Sequence, residues 1–392
     1  MAFQGTRAWR DGGIKLEKTI SIEIADRSKR PFFFALLISA LLVASSPTFG
    51  ATPTVAQHTS RHQNKSRYRN GIPTFADSTE GDVAAFDDPI VRQTAIRGLG
   101  RYNGSVVAID PNTGRILTIV NQKLAFSDGF IPCSTIKPVI AVAALQQGFV
   151  TRDTKIQVAR RKYLTLTEAL AHSNNAYFEE LGRRMGFDIV SNYARTLGLG
   201  ELAGYDISQE QPGSVPDAPP ARGGVARMSS FGEGIRMTPL QLGALVSMVA
   251  NGGTLYYLQY PQTEEERQNF EPRIKRTVDI QSLVPDLREG MHAAVIRGTA
   301  QRSNLSDAED VSGKTGSCSD SLSRIGWFVS YMDQPDLKIV LVILMRGDTY
   351  AVRGPMAAGI AGRIYRGLQA NEYTTKNDTR TDSPILAAKS GQ

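Results

Sequence analysis

From residue 88 onward, short apolar runs alternate with polar and glycine-containing segments. Asp88-Pro89 is typical of a helix start, with a capping side chain followed by proline, and the predicted helix ends at Leu99-Gly100. Two strands are predicted over residues 105–110 and 115–120, because apolar runs rich in β-branched residues flank the turn sequence at 111–114. An antiparallel sheet therefore begins with this hairpin.

The middle of the chain carries mainly helical patterns. Thr165 with Glu168 resembles a capping box, and Thr238-Pro239 precedes a strongly apolar run. The Gly- and Pro-rich segment 198–224 predicts an irregular surface excursion, and a polar, charged insertion follows at 264–276. The predicted helices of this part cover residues 138–147, 165–170, 176–185, 187–197, 239–250 and 285–297.

Three strand-like runs and one helix close the pattern. The runs lie at 310–317, 325–332 and 337–345, and the helix covers 356–368. The order is then a helix, a strand pair, several helices, three strands and a helix. This order predicts an α/β or α+β domain in which a helical layer is inserted between the two parts of the sheet.

Charge changes the picture only at the N-terminus. Residues 1–70 hold eleven Lys and Arg against four Asp and Glu, an excess of seven positive charges. This excess equals the formal net charge of the whole chain, +7. The rest of the chain is therefore balanced, and a nucleic-acid-binding function loses its main support. A basic leader followed by a solvated linker explains the excess.

The N-terminal segment has the order of a signal peptide. Basic residues at 27–30 precede the apolar run 31–44, and small residues follow at 45–51. The run of fourteen residues is shorter than the roughly 20 that span a bilayer. We therefore expect cleavage near Gly50 rather than an uncleaved anchor, and export in either case. A translation start further along the chain would also account for the long lead-in.

Composition divides the chain into four parts. Residues 1–50 are the predicted signal peptide or N-terminal membrane anchor, and residues 51–86 are a predicted disordered polar linker with no periodic apolar pattern. The folded domain is predicted over 87–370, and residues 371–392 form a predicted disordered tail.

Ser134 and Lys137 stand three residues apart at the start of the helical run that ends before Gly148. On a helix they would share one face, so that the ammonium and the hydroxyl could share a hydrogen bond. A lysine whose pKa is lowered by burial can take the proton of the serine, and a helix N-terminus favours an oxyanion beside it. The pair is therefore a candidate nucleophile and base.

Two further motifs follow in order, Ser173-x-Asn175 and Lys314-Thr315-Gly316. With Ser134-x-x-Lys137 they form a set known from penicillin-binding proteins and β-lactamases. From about residue 88 to 368 the chain resembles the transpeptidase domain of the penicillin-binding proteins. The wider likeness includes residues 108–114, 232–234, 238–242, 251–253 and 298–300. The resemblance implies an antiparallel sheet of about five strands flanked by helices, with an inserted all-helical subdomain.

The resemblance also implies roles on the serine side of the site. Ser134 would attack the carbonyl of a D-Ala-D-Ala peptidoglycan stem peptide, release the last D-alanine and leave an acyl-enzyme. Lys137 would act as the base, Ser173 would relay a proton to the leaving nitrogen, and Asn175 would bind Lys137 and the substrate amide. An acceptor amine resolves the acyl-enzyme in a transpeptidase, and water does so in a carboxypeptidase.

On the strand side, Lys314 and Thr315 would hold the substrate carboxylate, and Gly316 would let the peptide approach the strand. The backbone N–H groups of Ser134 and Ser317 would form the oxyanion hole. The resemblance implies no cofactor and no metal. Its partners would be stem peptides and β-lactams, with the cell-wall synthesis machinery allowed, no nucleic acid, and a membrane only through an uncleaved N-terminal segment. The location would be the periplasm or the outer face of the cytoplasmic membrane.

The two cysteines of the chain depart from the family pattern. The family usually has glycine where Cys133 precedes the nucleophile, and Thr-Ala or similar where Ser317-Cys318 follows Lys-Thr-Gly. The pair resembles the disulfide of some class A carbapenem-hydrolysing β-lactamases, which implies a Cys133–Cys318 bridge. Closing so long a loop would stabilise the fold by about 4–5 kcal/mol in the chain-entropy treatment. Two free buried thiols are the alternative.

Two other functions stay open. A serine β-lactamase needs a base that hydrolyses the acyl-enzyme, but the class A Glu-x-x-Leu-Asn pattern is absent after Asn175, and class D enzymes carry a hydrophobic residue at that position. A non-enzymatic β-lactam sensor usually joins the domain to several membrane helices, which this sequence lacks. An acyl-serine D,D-transpeptidase or D,D-carboxypeptidase is the first hypothesis.

Overall fold

The computed structural model describes residues 71–304 and 311–374. The predicted signal peptide, the first part of the linker and the tail from residue 375 lie outside the described residues. The helices are α1 (Pro89–Leu99), α2 (Gln122–Ala125), α3 (Lys137–Gln146), α4 (Leu166–Ala171), α5 (Asn175–Thr196), α6 (Gly224–Phe231), α7 (Pro239–Asn251), α8 (Glu264–Gln268), α9 (Val284–Ile296) and α10 (Gly354–Ala370).

The nine strands of the described residues form one five-stranded sheet and two short hairpins. The strands are β1 (Gly104–Ile109), β2 (Ile116–Val120), β3 (Ile156–Ala159), β4 (Lys162–Leu164), β5 (Thr254–Tyr256), β6 (Ile274–Thr277), β7 (Val311–Ser319), β8 (Arg324–Asp333) and β9 (Lys338–Gly347). Five of them form one antiparallel sheet in the order β2-β1-β9-β8-β7, and the other four form two separate hairpins. Because β7 pairs only with β8, its outer edge is open within the described residues.

One face of the five-stranded sheet packs against the helical layer. The apolar helix α7 crosses this face, and at Gly243 an added Cβ would lie 2.4 Å from the Cδ1 of Ile109. The helix begins with a complete capping box, in which Thr238 accepts from the N–H of Gln241 and Gln241 accepts from that of Thr238. The large core continues from there to α3 and α5, so the sheet and the helical layer share one interior.

The other face of the sheet is covered by α1, α10 and the end of α9. Asp88 accepts hydrogen bonds from the N–H groups of Ile90 and Val91, so it is the N-cap that the sequence predicts. Apolar residues of β8 and β9 face this second core as well as the first, which explains why these strands read as nearly continuous apolar runs.

The predicted fold class is confirmed, with the five-stranded sheet and the flanking helices in the expected order. The inserted part also contains the hairpins β3–β4 and β5–β6, which the sequence analysis did not predict because their strands are only three or four residues long. The segment predicted as a polar insertion contains α8 and part of β6. None of the helices among the described residues has the length and apolar character needed to cross a bilayer.

Residues 71–86 differ from the prediction of a disordered linker, because the structure packs them on the domain. Thr74 donates to a carboxylate oxygen of Asp348, and the N–H of Ile72 donates to the carbonyl of Leu322. The side chain of Asp82 is buried, and its carboxylate pairs with Arg92 at 3.0 Å. These contacts are polar, so a search for apolar periodicity does not detect the segment.

Candidate active site

Ser134 lies in a one-turn 3-10 helix, Cys133–Ile136, that runs directly into α3. Its neighbours Cys133 and Lys137 are buried, whereas Ser134 itself is partly exposed. The indole N–H of Trp327 donates to the carbonyl of Ile131 at 3.0 Å and ties the start of the turn to β8. The turn therefore presents the serine hydroxyl at the edge of a rigid, buried helix start.

The predicted hydrogen bond between Ser134 and Lys137 is not formed among the described residues. The Lys137 ammonium instead donates to the carbonyl of Ser173 at 2.6 Å and to Oδ1 of Asn175 at 2.7 Å, and its Nζ lies 3.1 Å from Oγ of Ser173. The 3-10 turn changes the angular spacing of a regular helix, which is the spacing that the prediction assumed. Lys137 thus belongs to a network with the second motif.

The backbone conformation of Ser173 places its carbonyl and its hydroxyl next to Lys137. Ser173 follows the last turn of α4 and has a φ of 54°, in the left-handed region that non-glycine residues seldom adopt. Asn174 then caps α5 by accepting from the N–H of Tyr177 at 2.9 Å. This turn directs the Ser173 carbonyl, the Ser173 hydroxyl and the Asn175 amide oxygen toward the same ammonium group.

Lys314 approaches the same hydroxyl from the sheet. Its Nζ lies 2.8 Å from Oγ of Ser173 and 2.9 Å from the carbonyl of Thr315, and its side chain is fully buried. Burial lowers the pKa of Lys314 to about 7. One serine hydroxyl therefore lies between two lysine amines.

Lys137 shares this unusual environment. Burial, and next the nearby positive charge of Lys314, hold the pKa of Lys137 well below its usual value, and the carboxylate of Glu179 opposes the shift only in part. A buried lysine with a lowered pKa can be neutral near neutral pH and accept a proton. The site therefore contains a base of the kind that the sequence analysis requires.

The Lys-Thr-Gly strand forms the opposite wall. Thr315 hydrogen-bonds Thr299 through their hydroxyls at 2.6 Å, and the Ser317 hydroxyl accepts from the N–H of Gly354 at 2.8 Å. At Gly316 an added Cβ would lie only 3.0 Å from the carbonyl oxygen of Pro132, so glycine lets the strand pack closely on the nucleophile's turn. Gly316 lies on β7, the strand whose outer edge is open within the described residues.

The Cys133–Cys318 disulfide is present and confirms the implied pairing. The two Cα atoms are 5.7 Å apart, within the usual range for a bridge. Cys133 has a φ of 52°, in the left-handed region. That backbone conformation gives a physical reason for the glycine that the family usually has at this position.

Sequence reasoning missed three residues of the site. Phe178 lies under Lys137, with Nζ 5.4 Å from the ring centroid, and the negative charge of Glu179 opposes the lowering of the Lys137 pKa. Both follow Asn175 by three and four residues on α5, so helical spacing from the Ser-x-Asn motif could have indicated them. Thr299 was part of the wider likeness but was not assigned to the site.

Comparisons with known proteins agree with this geometry. Residues 104–366 match the family described as the penicillin binding protein transpeptidase domain. The chain is 27% identical over 312 residues to stage V sporulation protein D of Bacillus subtilis, covering 66% of this chain and 48% of that protein. It is 27% identical over 305 residues to the peptidoglycan D,D-transpeptidase FtsI of Escherichia coli K12, covering 68% and 52%. The chain thus spans about half the length of these relatives.

Solved structures share the fold. The transpeptidase domain of Burkholderia pseudomallei penicillin-binding protein 3 superposes with a TM-score of 0.62 at 20% identity, covering 73% of this chain and 95% of that one. Penicillin-binding protein A of Mycobacterium tuberculosis, as a ceftriaxone acyl-enzyme complex, gives a TM-score of 0.60 at 20% identity, covering 72% and 78%.

Proposed function

The chain belongs to the penicillin-binding protein transpeptidase domain family, and on that basis we propose that it is an acyl-serine D,D-transpeptidase or D,D-carboxypeptidase. Its substrate is the D-Ala-D-Ala end of a peptidoglycan stem peptide. The observation that carries the proposal is the hydrogen-bonded series of Lys137, Ser173 and Lys314, which lies between the turn of Ser134 and the open edge of β7.

Hydrogen-bond counting supports Lys137 as the base. A neutral amine has two N–H donors and one lone pair, and the carbonyl of Ser173 and Oδ1 of Asn175 accept two donors. The lone pair then remains for a hydroxyl proton, and the Ser173 hydroxyl, 3.1 Å from Nζ, is the hydroxyl that faces it. Burial, and next the positive charge of Lys314, lower the pKa of Lys137 and so favour this neutral form.

The reaction then proceeds in balanced steps. Ser134 Oγ bonds to the carbonyl carbon while its proton passes to Lys137, and the negative oxygen is held by the N–H groups of Ser134 and Ser317. The C–N bond breaks as a proton passes through the Ser173 hydroxyl to the leaving D-alanine nitrogen. An acceptor amine or water, deprotonated in turn, cleaves the ester and regenerates the serine.

The strand wall supplies the binding of the terminal carboxylate. Lys314 and the Thr315 hydroxyl hold that carboxylate, and its negative charge favours the protonated form of Lys314 on binding. Gly316 leaves room for the substrate backbone along the open edge of β7. Because this chemistry acts on the cell wall, the domain is exported and works in the periplasm or on the outer face of the cytoplasmic membrane.

A direct assay tests the proposal. The protein is incubated with an Nα-acylated peptide ending in D-Ala-D-Ala, and released D-alanine is measured with and without an added amine acceptor. We expect release by the wild type and at least a 100-fold loss in the Ser134→Ala and Lys137→Met variants. Equal release by the wild type and Ser134→Ala would contradict the assignment of the nucleophile.

A further inference from the structure

Two arginines stack on one exposed tyrosine at the end of the sheet. Tyr350 is 68% exposed, and the guanidinium carbons of Arg324 and Arg353 lie 4.9 Å and 5.1 Å from its ring centroid. Stacking on an aromatic ring holds a guanidinium in place while leaving its edge open for hydrogen bonds. The three side chains, Arg324, Tyr350 and Arg353, are called the arginine cluster below.

The protein does not neutralise this cluster. Within residues 71–304 and 311–374 neither arginine forms an ion pair, and the Nε atoms of both are buried without a hydrogen-bond acceptor. The nearby carboxylates are already used, because Asp320 pairs with Arg346 at 2.9 Å and Asp348 accepts from Thr74. Two positive charges with no acidic partner among the described residues make a ready site for an anion.

The arginine cluster lies at the hairpin end of the Lys-Thr-Gly strand. Arg324 is paired with Ser319, the last residue of β7. The backbone of Arg353 packs on Gly326, where an added Cβ would lie 2.8 Å from its N and C atoms, and Gly326 is paired with Ser317. Arg353 is therefore level with Ser317, two residues beyond Thr315 along the strand.

The proposed function fixes which part of a substrate reaches this position. The terminal carboxylate binds at Lys314 and Thr315, and the scissile carbonyl binds at the N–H of Ser317, so the donor peptide continues toward Ser319. Extended chains advance about 3.3 Å per residue. The residue that precedes D-Ala-D-Ala then lies about 3 Å beyond Ser317 along β7, between the levels of Arg353 and Arg324.

We propose that the arginine cluster is an anion subsite that receives a carboxylate carried by the acyl donor, on the residue preceding its D-Ala-D-Ala. This inference rests on the proposed function and names a substrate preference of the same site. Arginine suits a carboxylate because its planar donors can bind both oxygens. The subsite selects donors that carry a free carboxylate over donors in which that group is an amide or is missing.

A matched pair of penicillins tests the subsite. Carbenicillin is benzylpenicillin with a carboxylate on its side chain, and this side chain takes the place of the donor peptide upstream of the scissile bond. The second-order rate constant for acylation of Ser134 is measured for both compounds by mass spectrometry of the intact protein. The proteins compared are the wild type, the Arg324→Gln/Arg353→Gln variant, and Arg366→Gln.

Arg366→Gln is the charge-matched control. Arg366 is an exposed residue of α10, twelve residues after Gly354 and so about 18 Å along the helix, well beyond the screening length at physiological salt. The ratio of the carbenicillin to the benzylpenicillin rate constant should fall about tenfold in the double variant and stay unchanged in Arg366→Gln. In the wild type the same ratio should fall as NaCl is raised from 0.05 to 0.5 M.

The possible failures are distinguishable. An unchanged ratio in the double variant, with benzylpenicillin still reacting, would overturn the subsite and leave the proposed function standing. No acylation of the wild type by either compound would overturn the proposed function and the subsite together. Should the double variant fail to fold, a ratio in the wild type that does not respond to salt would equally overturn the subsite.

Discussion

Cys133, the residue before the proposed nucleophile, is bonded to Cys318 on the Lys-Thr-Gly strand, and its backbone has a φ of 52°. The bridge joins the two walls of the cleft at the position where the backbone conformation favours glycine. The disulfide and the glycine-like conformation can be separated experimentally, because either can be changed alone.

Two double variants make this separation. Cys133→Gly/Cys318→Ser and Cys133→Ser/Cys318→Ser both lack the bridge, but only the first has glycine at the left-handed position. We expect the glycine variant to be more stable by about 1 kcal/mol, because a left-handed φ costs about that much for other residues. Both should be less stable than the wild type. Denaturant unfolding gives the free energies, and equal stability of the two variants would contradict the backbone argument.

The buried Lys314 predicts a pH dependence of stability. Its pKa is about 7 in the folded protein and near 10.5 when unfolded. Between these values the unfolded chain binds more protons than the folded one, so the free energy of unfolding rises with pH from about 7 to 10. The rise should be smaller in Lys314→Met. Urea unfolding of both proteins across this range measures it, and parallel curves would show that Lys314 does not titrate in this way.

Asn175 allows a test of the base. Its Oδ1 lies 2.7 Å from Nζ of Lys137, so Asn175→Asp adds a negative charge directly beside the amine. That charge stabilises the ammonium and raises the pKa of Lys137, which moves the pH midpoint of acylation upward. Asn175→Ala, which removes the acceptor without adding charge, is the control and should lower the rate with a smaller change of midpoint. Identical midpoints in all three proteins would exclude Lys137 as the titrating base.

The segment before α1 predicts a stability effect far from the cleft. The buried carboxylate of Asp82 binds Arg92 and accepts from the N–H groups of Asn121 and Gln122. Asp82→Ala should therefore lower the free energy of unfolding by about 2 kcal/mol, because it leaves buried donors unpaired. Asp77→Ala, an exposed neighbour, should change it by less than about 0.5 kcal/mol. Thermal unfolding of the full chain compares them, and similar losses would contradict the packing of this segment.

Much of this account could be predicted from the residues, and the exceptions have physical causes. Apolar periodicity and capping residues such as Asp88 and Thr238 predicted the main elements, because these signals are local in sequence. The partners of Lys137 could not be predicted in this way. They depend on the 3-10 turn at Ser134 and on the left-handed turn at Ser173, neither of which has a helical or strand period.

The other differences arise from polar contacts. Residues 71–86 dock through hydrogen bonds such as that of Thr74 to Asp348, and the short hairpins β3–β4 and β5–β6 carry basic residues where alternation would be expected. The sequence could not predict that Arg324 and Arg353 lack an acidic partner. This depends on the fold, in which Asp320 pairs with Arg346 and Asp348 accepts a hydrogen bond from Thr74. Composition alone does not distinguish an arginine that is only solvated from one that is placed to bind an anion.

The lifetime of the benzylpenicillin adduct on Ser134 tests the central claim most directly. The protein is acylated, excess drug is removed, and the adduct mass and its position in a peptide digest are followed over time, with Ser134→Ala as the control. We predict one adduct per chain, located on Ser134 and persisting for many minutes, because the Glu-x-x-Leu-Asn pattern that supplies the deacylating base of class A β-lactamases is absent after Asn175. Loss within seconds with turnover of the drug would indicate a β-lactamase, and no adduct on Ser134 would contradict the account.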